Sequence, residues 1–465
     1  MKNNKIKYQT TANSNLISKM KNSPYYRNDV TYHFITRGEP GTYNAYLIFE
    51  YRPESFHLID DLLPTDEIAA AIIFRMVLIA DLMKKKITYS NPGYNFYFLK
   101  YGSIQKIDSI FSLTITTMKR YVEIGSLPIG QNNTITDVPG VLVGHLTLRN
   151  GDINTGITAV LPHNGNIYRD KVLAGCHVFN GFGKSLGLMQ IEELGTIETP
   201  ILLTNTLSIG AVANGLILYM LAQNSEICNS TGTVNPLVLE CNDGYLNKIR
   251  NITLTNADVI TAIENADVLF PQGNVGAGMG MRCLGFKGGI GSASRIVKIK
   301  DKIYTLGVLV NSNFQGSSYQ ELKIKGRNIG ELMKEKSAGA ADQGSIIVVI
   351  ATDLPLNPLQ LNRVAKRAEI GIGNTGGYAA HGSGDIIVAF SVSNKYHHFS
   401  DNHLFLREVL HDDYLNLAFK ATVEATEEAI INSMLHAQPL TGFLNRSVQS
   451  LSQYIELFDD LLIEG

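Results

Sequence analysis

Gly344–Ser345 joins two stretches of opposite character. After it, Ile346-Ile347-Val348-Val349-Ile350 is an unbroken β-branched run, the pattern of a strand buried on both faces, with Ser345 opening it. Before it, residues 334–343 are polar and small, the composition of an exposed loop. A cut at such a junction would relax the loop while the strand holds the new terminal serine, so the site suits self-processing. The plainer reading is a strand start with a polar first residue.

A second stretch is Tyr378-Ala379-Ala380-His381-Gly382-Ser383-Gly384-Asp385, which leads into the apolar run Ile386-Ile387-Val388-Ala389-Phe390. If both belong to the strand, Ser383 and Asp385 point to the same face and can form one hydrogen-bonded pair. Gly-Ser-Gly-Asp is also ordinary turn chemistry. His381 has no nucleophile elbow beside it and reads as a loop histidine, not a base. A third stretch, Gly273 to Met281 with Gly285 to Ser292, is glycine-rich but fits neither the dinucleotide nor the P-loop spacing. Its glycines suit close backbone packing around a cleft. Gly291–Ser292 is another Gly-Ser junction, but Ala293-Ser294-Arg295 does not read as the start of a core strand.

These residues need a rigid scaffold. Gly156–Leu161, Ile201–Leu203 and Tyr304–Val310 read as strands, and Leu361, Val364, Ala365 and Ala368 recur at helical spacing behind an Asn357-Pro358 cap. Mixed strands and helices over residues 119–465 predict an α/β or α+β layered domain. Residues 1–118 are aromatic-rich and lysine-rich, with an apolar helix expected from about Asp66 to Lys86 behind Thr65. They form an N-terminal extension with no catalytic-looking spacing.

The 40 Lys+Arg against 42 Asp+Glu leave no basic surplus, so nucleic acid and membrane surfaces are not expected as partners. With 45% apolar and 18% charged residues the chain has material for a buried core. Cys176, Cys228, Cys241 and Cys283 form no metal-ligand spacing and suit small buried residues in a reducing, cytoplasmic setting. Lysines at the start are followed by polar residues, so no secretory signal is expected, and Ile68–Met83 is shorter than the roughly 20 residues a bilayer requires.

Ile135-Thr136-Asp137-Val138-Pro139-Gly140-Val141-Leu142-Val143-Gly144-His145, Asn180-Gly181-Phe182-Gly183, Leu203-Thr204-Asn205-Thr206-Leu207 and Asn242-Asp243-Gly244-Tyr245-Leu246-Asn247 carry a resemblance. With Glu193-Leu194-Gly195, Glu198-Thr199-Pro200-Ile201, Gly273–Gly276, Gly285–Gly291 and Gly344-Ser345 leading to Ala351-Thr352-Asp353, they resemble the DmpA/BapA family in order and content. That family comprises self-cleaving L-aminopeptidases/D-esterases and β-peptidyl aminopeptidases. The resemblance spans about residues 119–465.

It implies a four-layer αββα sandwich, shared in outline with the ornithine acetyltransferases, and tetramers of two-chain protomers. It implies a precursor that cuts itself between Gly344 and Ser345 into chains 119–344 and 345–465, making Ser345 the N-terminal nucleophile. The freed α-amine, with a reference pKa of about 7.7–8.0, would be its base. Ser383 and Asp385 match the family's Ser-x-acid pair near that amine, Asn313 its oxyanion asparagine and Tyr245 a pocket tyrosine. Met279 stands where a threonine is expected, Gln272 where a glutamate is, and Asp385 is shorter than the glutamate of some members. The activity implied is removal of N-terminal residues from small peptides, amides or esters, with no metal and no organic cofactor. Acyl transfer to an amine on the same scaffold, or a small-molecule binder that has lost the chemistry, are the competing readings.

Overall fold

Hydrophobic periodicity sorts the chain into strands and helices that must bury each other. In the computed structural model the described residues are 122, 124–333, 343–400 and 402–461, together with the backbone of five strands before them. The chain divides into two compact units, residues 1–120 with 463–465, and Tyr121–Leu462. In the first, β1 (Val30–Arg37), β2 (Tyr43–Tyr51) and β5 (Leu113–Ile115) form an antiparallel sheet, and β3 (Phe96–Lys100) and β4 (Ser103–Ile107) a hairpin. The helix expected over residues 66–86 lies outside the described residues.

The second unit contains β6 (Leu142–Asn150), β7 (Ile153–Leu161), β8 (Asp170–Gly181), β9 (Thr196–Ile197), β10 (Ile201–Asn205) and β11 (Leu237–Cys241). After a short ribbon, β12 (Arg282–Cys283) and β13 (Phe286–Lys287), come β14 (Gly289–Ile299) and β15 (Lys302–Asn313). A second ribbon, β16 (Lys323–Ile324) and β17 (Arg327–Asn328), precedes β18 (Gln343–Thr352) and β19 (Gly382–His397). Its helices are α1 (Leu188–Leu194), α2 (Ile209–Gln223), α3 (Asn256–Glu264), α4 (Pro358–Ala365), α5 (Ala368–Asn374) and α6 (Leu415–Leu435).

The strands form a four-stranded sheet, β11-β10-β7-β6, and a six-stranded sheet, β14-β15-β18-β19-β8-β9. Between the sheets, Val143, Val160, Leu203 and Leu239 of one pack with Leu309, Ile347, Val349 and Val388 of the other. Outside the smaller sheet, Ile157, Leu202 and Val238 meet Val212 and Leu216 of α2 and Val259 of α3. Outside the larger one, Val308, Ile346 and Val348 meet Leu361 and Val364 of α4 and Ala425 and Ile430 of α6. The result is an α+β sandwich of four layers, αββα. Residues Thr206–Gln223 are long and apolar enough to cross a membrane, yet Val212, Ala213, Leu216 and Met220 pack inward as part of a layer.

Alternation explains β18: Ile346, Val348 and Ile350 face the helices while Ile347, Val349 and Ala351 face the other sheet. Burying each large side chain contributes about 1.5–3 kcal/mol. Asn357 caps α4 by accepting from the Gln360 amide, with Pro358 at the first position. The single helix expected through Ala368 ends at Ala365 and restarts as α5, although all four periodic residues reach the core.

Two expectations are corrected. Ser292 to Arg295 lie inside β14 and are completely buried. Their polarity is absorbed by partners far along the chain, with Arg295 donating to Glu424 at 3.2 Å and Glu428 at 2.6 Å. Cys228 is exposed on a turn, while the other three cysteines are buried. Glu424 also accepts from the Ser126 and Leu127 amides, and Glu428 from that of Ile124, so Arg295 fastens the start of this unit to α6. Replacing Arg295 by Met strands two buried carboxylates and should cost roughly 3–5 kcal/mol, read as a lower urea midpoint.

Candidate active site

Ser345 is the third residue of β18, held on both edges: it pairs with Asn313 of β15 and with Gly384 of β19. The strand begins at Gln343, two residues earlier than expected, because Gln343 and Gly344 continue the parallel ladder to Gly382 and Ser383. The Gly344–Ser345 bond therefore lies within a ladder. The loop expected before it, residues 334–342, lies outside the described residues. A Cβ on Gly344 would come 2.4 Å from Asn313 O and 2.6 Å from Phe314 Cα, so only glycine fits without moving β15.

Ser345 shares the inter-sheet face of β18 with Ile347 and is 3% exposed, and its Oγ has no nitrogen or oxygen partner. The Cys241 thiol, at the end of β11 in the opposing sheet, lies beside it, and burial pushes that thiol well up from its usual range. Asn313 faces the same space. Its Nδ2 donates to Asn242 O at 2.9 Å and its Oδ1 accepts from the Arg282 amide at 2.9 Å, leaving one N–H of the amide group for a further acceptor.

Ser383 and Asp385 form the expected pair, with Oγ donating to Oδ1 at 2.6 Å. Asp385 is the ladder partner of Ile346, one residue from Ser345, so the pair flanks the backbone nitrogen that cleavage would free. Burial raises the Asp385 carboxyl to about 6, offset in part by hydrogen bonds from Ser383 and the Ile346 amide. His381 is an exposed turn residue.

Tyr245 contacts two arginines. The Arg282 guanidinium lies 3.4 Å from its ring centroid and that of Arg446 4.7 Å away. Met279 packs with Leu246, Leu440 and Val448 against this ring, an apolar filling where a threonine hydroxyl would need a partner. Gln272 accepts from the Ser292 amide at 2.8 Å, a bond that serves the strand and not the pocket. The glycine-rich segments are held together by Lys287, which is fully buried and donates to Gly278 O at 3.0 Å and Gly288 O at 2.8 Å. Burial pushes Lys287 down to about 7 and Asp243 up to about 7.

Cys241, Arg282, Lys287 and the buried Glu240, which accepts from the Lys184 amide at 2.9 Å, were not among the sequence candidates. The signal available was position: each lies in or beside a motif block, and Lys287 is the lone cation of a glycine-rich apolar stretch. Among the described residues no group of three His, Cys, Asp or Glu side chains could hold a metal ion.

The raised Asp385 carboxyl makes a stability prediction for the uncleaved Ser345→Ala protein. A carboxyl that moves from 3.8 to about 6 on folding keeps its proton better in the native state, so stability is greatest below the unfolded value and falls as pH rises through about 6. At about 1.4 kcal/mol per pKa unit the loss at pH 7 is ~3 kcal/mol. Asp385→Asn should remove that loss, so urea titrations of the two proteins should diverge at pH 7 and converge near pH 4.

Residues 133–448 match the profile of Peptidase family S58. The chain is 38% identical over 347 residues to the β-peptidyl aminopeptidase BapA of Sphingosinicella microcystinivorans, spanning 69% of this chain and 86% of that enzyme. It is 35% identical over 348 residues to BapA of Sphingosinicella xenopeptidilytica, spanning 69% and 85%. A solved Pyrococcus horikoshii protein superposes with a TM-score of 0.69 at 50% identity, over 73% of this chain and 97% of its own. The L-aminopeptidase D-Ala-esterase/amidase of Ochrobactrum anthropi, described as a prototype of the serine aminopeptidases and a variant of the Ntn hydrolase fold, gives 0.68 at 35% identity, over 74% and 98%. The chain thus belongs to peptidase family S58 and has the serine-aminopeptidase form of the N-terminal-nucleophile hydrolase fold.

Proposed function

We propose that this chain is a self-processing serine aminopeptidase that takes N-terminal residues from small peptides, amides or esters through Ser345. The observation that carries the reading is the placement of Ser345: a buried hydroxyl with no nitrogen or oxygen partner, beside Asn313 on one neighbouring strand, with the Ser383–Asp385 pair of the other strand flanking its backbone nitrogen. Similarity to β-peptidyl aminopeptidases and to an L-aminopeptidase D-Ala-esterase/amidase supports the substrate class.

Processing starts when Ser345 Oγ attacks the Gly344 carbonyl carbon. The C–N bond breaks, nitrogen takes the proton, and the acyl group rests on oxygen as an ester. Water hydrolyses that ester, leaving a carboxylate on Gly344 and a free amine on Ser345. In turnover the amine removes the hydroxyl proton as Oγ attacks the substrate acyl carbon, then returns it to the departing amine or alcohol. A second cycle with water releases the acid. Ser383 and Asp385 orient the amine, and the remaining Asn313 N–H donates to the oxyanion, a role worth about 2.7–4 kcal/mol. Tyr245 lines the same pocket, stiffened by its two arginines. Glu240, which accepts from the Lys184 amide and the Thr206 hydroxyl, is the carboxylate that would meet a substrate's free ammonium.

We also propose assembly into tetramers of two-chain protomers. Exposed apolar side chains such as Met189, Leu194 and Leu406 in the described unit support burial against other copies. The buried, unpaired thiols suit a cytoplasmic setting.

Ser345→Ala should stay full-length on a denaturing gel and hydrolyse no substrate. Ser345→Cys should still cleave, since a thiol performs the same acyl shift. In the wild type, kcat/KM should rise with pH through an apparent value near the α-amine reference of about 7.7–8.0 and be indifferent to chelator. Cleavage by Ser345→Ala, or a rise near the histidine reference of about 6.5 that disappears in His381→Ala, would overturn the assignment.

A further inference from the structure

Asn311 lies two residues before Asn313 on β15, completely buried, and neither its Oδ1 nor its Nδ2 has a hydrogen-bond partner in the protein. Its ladder neighbours are Ile290 on β14 and Ile347 on β18, both in the apolar cluster between the sheets. The nearby Cys241 thiol donates to the Asn311 backbone oxygen at 3.4 Å and not to its amide group. Asn313, on the same face, already uses its own amide on Asn242 and Arg282. An amide in such surroundings is expected to be bonded, and a buried polar site with two or more partners holds ordered water.

A second unpaired group lies on that face. Asn311 is diagonal to Ser345 across the β15–β18 ladder, because Asn313 pairs with Ser345 and Asn311 with Ile347. Diagonal neighbours are about 7–8 Å apart, with their Cβ atoms somewhat closer. One water can bridge two side chains at that separation, and the Ser345 Oγ is itself without a nitrogen or oxygen partner, with the Cys241 thiol beside it.

We propose that Asn311 is a positioning residue that anchors a buried water against the Ser345 hydroxyl. The inference rests on the reading of Ser345 as nucleophile. Asn311 Oδ1 accepts one hydrogen of the water, and the other is directed at Ser345 Oγ. With that lone pair engaged, the hydroxyl hydrogen turns away from the core toward the residue's own nitrogen, the amine that must receive it. No covalent bond changes; the water fixes a rotor before the reaction begins.

Leucine has nearly the shape of asparagine and separates this role from packing. A merely tolerated polar residue predicts that Asn311→Leu melts higher and keeps full activity. We expect it to melt no lower than the wild type while self-processing and kcat fall at least about tenfold, with KM unchanged and partial recovery in Asn311→Ser. Active wild type with an equally active Asn311→Leu overturns the role of Asn311 alone, whereas a processed wild type that hydrolyses no peptide, amide or ester overturns the aminopeptidase reading beneath it. If Asn311→Leu does not fold, a high-resolution crystal structure of the uncleaved Ser345→Ala protein decides. A water bonded to the Asn311 amide and lying over residue 345 supports the proposal, and an amide bonded to protein alone overturns it.

Discussion

Everything at the site depends on β18 being buried on both faces and hydrogen-bonded on both edges. Five β-branched residues alternate between two cores, so the strand cannot slip by one residue without exchanging its faces. Ser345 inherits that fixed position. A nucleophile that must serve twice, first on its own preceding peptide bond and then on a substrate, benefits from a backbone that does not relax when the chain before it is cut. The tight approach of Gly344 to Asn313 O and Phe314 Cα extends the same constraint to the other side of the bond.

The polar groups around this strand are arranged at the ends of strands, where the apolar filling of the sandwich stops. Cys241 and Asn242 come from the end of β11, Asn313 from the end of β15, and Ser383 and Asp385 from the start of β19. Two opposed sheets thus present their termini to one space. The cost falls on protonation: burial displaces Asp385, Asp243 and Lys287 toward neutrality. Such groups are retained against their desolvation because each holds a neighbour, Lys287 the glycine segments and Asp385 the Ser383 hydroxyl.

How much of this could be read in the sequence follows from the range of each interaction. The β-branched run announced a two-faced strand, and the spacing of Ser383 and Asp385 announced a shared face, because period-two alternation is local. The four layers came from the resemblance of ordered blocks, not from periodicity. The true start of β18 was hidden because its first residues are held by Gly382 and Ser383, whose pairing no local pattern reveals. Arg295 escaped for a similar reason: a cation in a core strand makes sense only once Glu424 and Glu428 are seen beside it. Cys241 and Arg282 likewise acquire meaning from the opposing sheet and from the Tyr245 ring.

The most direct test of a fixed strand carrying a self-generated terminal serine is N-terminal sequencing, with intact mass, of both chains from freshly purified wild-type protein. The account predicts two chains, the smaller beginning Ser345-Ile346-Ile347-Val348. A single uncut chain, or a second terminus at Ser292 or any position other than Ser345, would contradict it.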